Sequence, residues 1–193
     1  ANDCNEYLIE LFKAAVLGFE FPEFVTSEER KFIKQNPEKF APWQVGYAGF
    51  ICGFGGDFNG GFAGKSNTKI GTVRDYTKEA ISNIERQLPK MIGVQFENKD
   101  YIELEIPTNS IIYCDIPYKG KGEYKEGGFD HEKFYQWAND IDPPVYISEY
   151  DAPFNVIEGF NHRSSLSSTN NKKKTFEKIF WNGKGNIYNT KLF

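Results

Sequence analysis

Residues 110–150 read SIIYCDIPYKGKGEYKEGGFDHEKFYQWANDIDPPVYISEY. SIIYC (110–114) has the β-branched and aromatic composition of a buried strand. FDHEKFYQWAND (129–140) has a helical pattern with Asp130 as its cap. PVYISEY (144–150) is again a strand. Strand, helix and strand in succession, taken with the flanking elements, predict an α/β sheet with right-handed crossovers.

Toward the N-terminus, Leu8, Ile9, Leu11, Phe12, Ala15 and Val16 recur at helical spacing. They predict an amphipathic helix over 5–17, capped by Asp3 or Asn5. Thr26 or Ser27 followed by Glu29 predicts a second, short helix that ends before Pro37. Residues 41–70 are dense in glycine and aromatics and predict irregular chain with short strands. Val73, Tyr76, Ala80, Ile81, Ile84 and Leu88 mark one face of a helix from 72 to a stop at Pro89. MIGVQF (91–96) and YIELEI (101–106) predict short strands. In the tail, 161–174 reads as a polar surface loop, 175–181 as a strand and 186–193 as its hairpin partner. His131, in the first turn of its helix, is expected to be exposed.

The totals narrow the function classes. The chain has 193 residues with 18 Phe and 11 Tyr, enough for one domain with a real core and room for a small appendage. A formal net charge of −4 argues against a uniformly basic nucleic-acid coater but permits a local basic groove. Three scattered cysteines and two histidines suit neither a disulfide framework nor a zinc site. With no membrane-length apolar run and no signal peptide, the expectation is a soluble cytoplasmic protein without metal or membrane partners.

Asp115 directly follows the strand at 110–114, where open α/β sheets bind ligands. Pro117 has no N–H and holds Ile116 extended, leaving the Ile116 carbonyl to face a ligand. Tyr118 adds a flat ring. An acid, a carbonyl and a ring together suit a planar heterocycle bearing an amine. The two acceptors take the amine hydrogens, and drawing them out of the ring plane frees the nitrogen lone pair for methylation.

YCDIPYKG resembles the D-P-P-Y motif of the Dam-like, phage-type adenine-specific DNA methyltransferases. Four further segments resemble that family in its order: ANDCNEYLIELFKA, the middle section from GFGGDFNGGFAG to RDYTKEAISNIERQLPKMIGVQFENKDYIELEIP, VYISEYDAP, and KTFEKIFW. The likeness covers most of the chain. It implies a Rossmann-like sheet for S-adenosylmethionine-dependent methylation, with 1–18 and 70–193 as catalytic core and 19–69 as an inserted target-recognition region. It implies that Asp115, Ile116, Pro117 and Tyr118 hold a flipped adenine of double-stranded DNA. Asp3 would bind the ribose of S-adenosylmethionine, and Asp100 and Tyr101 its adenine end. Lys65, Lys69, Arg74, Lys172, Lys173 and Lys174 are candidate phosphate contacts. A phage or bacterial restriction-type or orphan system is the implied setting.

The sequence departs from the family at two places. The motif's second residue is Ile116 where the family has proline, which keeps the peptide oxygen. The glycine-rich cofactor loop, expected upstream of the acidic segment, has no counterpart there, and GFGGDFNGG (53–61) does not open a helix as such a loop should. A chain truncated at its N-terminus is therefore expected, with weak cofactor binding unless a second chain completes the pocket. The alternative expectation is a non-catalytic remnant or DNA-binding module. Methyltransferases of protein glutamine or ribosomal RNA resemble this loop too, but they begin it with asparagine.

Simpler roles stand beside these. Asp115 fits a turn, Asp3 a helix cap, Asp100 and Tyr101 a turn between strands, Tyr113 and Cys114 sheet packing, and Glu149 a loop-bonded carboxylate in place of a general base.

Overall fold

The computed structural model describes residues 1–23, 25–68, 70–119, 128–163 and 174–185, without the side chains of 162, 163, 174 and 175. The chain divides into two compact units, Ala1–Leu104 and Glu105–Phe193.

In the first unit, Asn5 caps α1 (Glu6–Val16), its side chain accepting from the Leu8 amide at 3.2 Å. Ile9, Leu11, Ala14 and Ala15 form the buried stripe of α1. Thr26 and Glu29 form a reciprocal capping box at the start of α2 (Ser27–Gln35). As the spacing predicts, α2 ends ahead of Pro37.

The glycine-rich region departs from expectation. It opens with α3 (Pro42–Gly46), which runs on into a π-helical turn, Tyr47–Ile51. Gly46 acts here as a contact residue. A Cβ at this position would collide with the Tyr7 carbonyl and lie 3.1 Å from the Leu11 Cβ, so its absence lets α3 lie directly on α1. Tyr47, Ile51 and Cys52 thereby join Leu11 and Val25 in the core.

One strand falls in the region expected to hold short strands, β1 (Lys65–Asn67); it pairs antiparallel with β2 (Val73–Asp75), which lies where the helix from 72 was expected. Asp75 caps α4 (Tyr76–Met91), so the helix starts later than predicted. It also passes through Pro89 and ends two residues beyond. A proline in the final turn removes one backbone bond without ending the helix on the spot.

The strand expected at 91–96 does not form, and Ile92 and Val94 are exposed. The nearby pairing is a single parallel bridge between Asn2 and Glu97. The strand expected at 101–106 is also absent. The Asp100 carboxylate accepts from the Ile102 amide at 3.1 Å and folds Tyr101–Glu103 into a 3₁₀ turn.

The second unit contains β3 (Ile112–Asp115), α5 (His131–Asp140), β4 (Val145–Glu149), β5 (Asn155–Arg163) and β6 (Lys174–Trp181). Asp130 caps α5 as expected. The strands form one mixed sheet of order β3-β4-β6-β5. β3 and β4 are parallel, the arrangement a crossover through α5 produces, and β6 is antiparallel to both β4 and β5.

The fold is therefore mixed α/β. β4 is buried along its whole length, but β3 is not: Tyr113 is 55% exposed, as is fitting for an outer strand of the four. The expectation of a fully buried β3, and of Tyr113 as sheet packing, is corrected accordingly. β5 was not foreseen from the sequence and is the hairpin partner of β6. The partner expected at 186–193 lies outside the described residues, as does 164–173 of the expected 161–174 loop; the described ends of that loop are strand instead, 161–163 in β5 and Lys174 in β6. Among the described residues no helix is long and apolar enough to cross a membrane.

Candidate functional site

β3 and β4 are parallel, so their carboxyl ends, Asp115 and Glu149, share one edge of the sheet. β6 runs the other way and begins near that edge, pairing Lys178 with Glu149. Three acids, Asp115, Glu149 and Glu177, thus collect there from three strands.

Side chains alternate between faces. Ser148 lies opposite Asp115 and Ile179 opposite Ser148, so these share a face with Glu177, two residues before Ile179. The Tyr118 hydroxyl reaches back onto this face and donates to Glu177 Oε1 at 3.0 Å. Ser148 Oγ donates to the same oxygen at 2.6 Å and lies 3.4 Å from the Tyr118 hydroxyl. The Tyr118 ring packs against Tyr150 with centroids 4.7 Å apart.

Asp115 itself is exposed on this face. Desolvation raises its proton affinity above the ordinary carboxylate value; the Tyr118 hydroxyl pulls the other way, and the Glu177 and Glu149 charges add to the rise. Burial also raises the Tyr118 phenol, with Ser148 opposing and Glu177 and Asp115 reinforcing. Ile116 turns its side chain into the core. Cys114 packs inward, its thiol pushed up to about 12 by burial.

The opposite face holds the loop from behind. Glu149 is 0% exposed; its Oε2 accepts from the Lys119 amide at 2.9 Å and its Oε1 from its neighbour Tyr150 at 2.6 Å. His131, expected to be exposed, has a side chain only 15% accessible, with Nε2 2.7 Å from the Pro117 carbonyl. The first turn of α5 faces the loop, which accounts for the difference.

Asp3, Asp100 and Tyr101 lie in the first unit. Residues 1–3 run beside 95–99, tied by paired bonds at 3.0 Å between the Asn2 side chain and the Lys99 backbone. Burial and the Asp3 charge, with a smaller part from Asp100, raise the Cys4 thiol. Each carboxylate spends one oxygen on its own chain, Asp3 on the Asn5 amide at 2.7 Å and Asp100 on Ile102. The second oxygen of each has no hydrogen-bond partner among the described residues.

Of the candidate phosphate contacts, Lys65 pairs with Asp75 at 3.9 Å. Arg74 is bidentate to Glu79 at 2.8 and 2.7 Å and lies over the Tyr76 ring. Lys69, Lys172 and Lys173 lie outside the described residues, as does the Lys174 side chain.

Sequence reasoning missed Ser148, Tyr150 and Glu177. A signal existed in ISEY: alternation along β4 puts Ser148 and Tyr150 on one face and Glu149 on the other, and parallel pairing with β3 sets Ser148 beside Asp115. Glu177 had no local signal, because its place depends on the direction of β6.

No family model matches the chain, and no curated protein matches it either.

Proposed function

We propose that the chain methylates the exocyclic amine of adenine in double-stranded DNA, using S-adenosylmethionine. The observation that carries this reading is Asp115 exposed at the sheet's carboxyl edge, three residues before a tyrosine whose hydroxyl is anchored to Ser148 and Glu177. A base inside a duplex cannot reach this edge, so the target nucleotide leaves the stack.

Asp115 accepts one amine hydrogen and the Ile116 peptide oxygen accepts the other. The elevated proton affinity of Asp115 makes it a stronger acceptor as positive charge develops on the amine. Tyr118, tethered at its hydroxyl, offers its ring to the purine. The amine proton leaves to water, so the reading needs no buried base, and Glu149 is already committed to two backbone amides.

Asp3, with a carboxylate oxygen unspent, fits the ribose, and Asp100 and Tyr101 fit the adenine end. When bound, S-adenosylmethionine supplies an electrophilic methyl group. A sheet with an antiparallel strand between two mutually parallel ones fits the Rossmann-like methyltransferase sheet that the sequence resemblance implies. Residues 19–69 are read as target recognition.

The test is nucleoside mass spectrometry of duplex DNA incubated with the chain and S-adenosylmethionine. N6-methyldeoxyadenosine formed by the wild type and absent with Asp115→Ala supports the reading. No such nucleoside from the wild type, or equal amounts from the variant, overturns it.

A further inference from the structure

We propose that Glu149 and His131 form a clamp that sets the backbone of Tyr118, acting as positioning residues. The inference concerns the loop itself and goes beyond the proposed methylation.

Two peptide groups flank Tyr118. The first contributes the Pro117 carbonyl, which lies 2.7 Å from His131 Nε2. A carbonyl only accepts, so Nε2 carries a hydrogen. The second contributes the Lys119 amide, which donates to Glu149 Oε2 at 2.9 Å. The two clamp members stand together, His131 Nε2 lying 3.9 Å from the same Glu149 oxygen.

Tyr118 is therefore fixed at three points: its two flanking peptides from one face, and its hydroxyl from the other through Ser148 and Glu177. A ring held this way has little freedom left to lose when a planar ligand meets it. A carboxylate with no exposure, both oxygens taken by backbone amides, suits holding a loop and does not suit meeting a substrate. Lys119 Nζ also pairs with Glu132 at 3.3 Å, but both groups are well exposed and this contact adds little.

Three variants of the full chain separate the clamp from general packing. Glu149→Gln keeps the shape but leaves one acceptor oxygen for two amides. His131→Phe keeps a ring against Phe129 and Tyr135 but removes the donor. His131→Gln restores a donor. The readout is amide hydrogen exchange at Lys119 by NMR, with Ile147 and Phe180 as fold controls.

Exchange at Lys119 should quicken about tenfold in Glu149→Gln and His131→Phe, the weight of about one buried hydrogen bond, with the controls unchanged. His131→Gln should stay within about threefold of wild type on the same scale. The clamp is overturned if Lys119 exchange is unaltered in His131→Phe with the controls intact, or if His131→Gln is as fast as His131→Phe. Should Glu149→Gln fail to fold, the two His131 variants decide. Because exchange is read without DNA or cofactor, failure of the methylation reading leaves this result standing, and the reverse also holds.

Discussion

Arg30→Met should destabilise the first unit by about 3 kcal/mol. Arg30 projects from α2 and is only 8% exposed, yet no carboxylate bonds it among the described residues. Its Nε donates to the Ala48 carbonyl at 2.8 Å and its Nη2 to Gly60 at 2.9 Å, with longer contacts to Phe58 at 3.4 Å and Gly49 at 3.5 Å.

Ala48 and Gly49 lie in the final turn of the helical run 42–51, where carbonyls lack partners within the helix. The guanidinium thus caps a helix C-terminus, the favourable end for a cation, and ties it to the 58–60 loop. Two close bonds from a charged donor are worth about 3–6 kcal/mol gross. Relief of the buried charge returns part of that, which leaves about 3 kcal/mol because methionine cannot satisfy the carbonyls. Arg30→Lys keeps a charge at one centre and should cost about half as much.

Urea denaturation followed by ¹⁹F NMR of the fluorotryptophan-labelled chain reads this directly. Trp43 reports the first unit, and Trp137 and Trp181 lie in the second. A loss below about 1 kcal/mol at Trp43 would mean that water satisfies those carbonyls as well as Arg30 does, and would refute the reasoning.

Further outcomes follow from the same geometry. Asp115 binds its proton more tightly in the fold, so between its ordinary and raised values the folded chain holds more protons than the unfolded one. Stability should therefore fall as pH rises through that interval, and Asp115→Asn should flatten the slope and raise the urea midpoint at neutral pH. Glu177→Gln should lower the Asp115 value in a ¹³C carboxyl titration, since the Glu177 charge helps hold it up. Gly46→Ala, which forces a methyl against the Tyr7 carbonyl and Leu11, should cost about 3 kcal/mol and lower the melting temperature. In native thiol labelling Cys4 should react first, while Cys52, fully buried and pushed up to about 11, should react only on unfolding.

The helices that carry their own caps were legible in the sequence. Asn5, the Thr26–Glu29 pair and Asp130 each sit at the spacing that satisfies a first-turn amide, and each does so. β3, β4 and β6 were legible from their apolar composition. The helix at 42–51 was not, because Gly46 and Gly49 read as breakers when their purpose is close packing, a tertiary property. β5 was hidden by the register shift between Val156 and Glu158, which breaks its alternation. The run at 91–96 had the composition of a strand, and Asp100 turned the next one into a 3₁₀ turn. At the site, Asp115, Ile116, Pro117 and Tyr118 could be read along the chain, but their support from Ser148, Glu177 and His131 arises from strand direction and helix packing.

The proposed grip on a purine amine is tested most directly by NMR of the chain with selectively labelled Asp115 and Tyr118. The probes are two oligonucleotides that differ at one base, adenine in one and unsubstituted purine, which lacks the amine, in the other. The predicted result is a shift of the Asp115 carboxyl and Tyr118 ring signals with adenine that is several-fold smaller with purine, about what losing hydrogen bonds to a charged acceptor implies. Equal shifts with both bases, or shifts that bypass Asp115 and Tyr118, would contradict it.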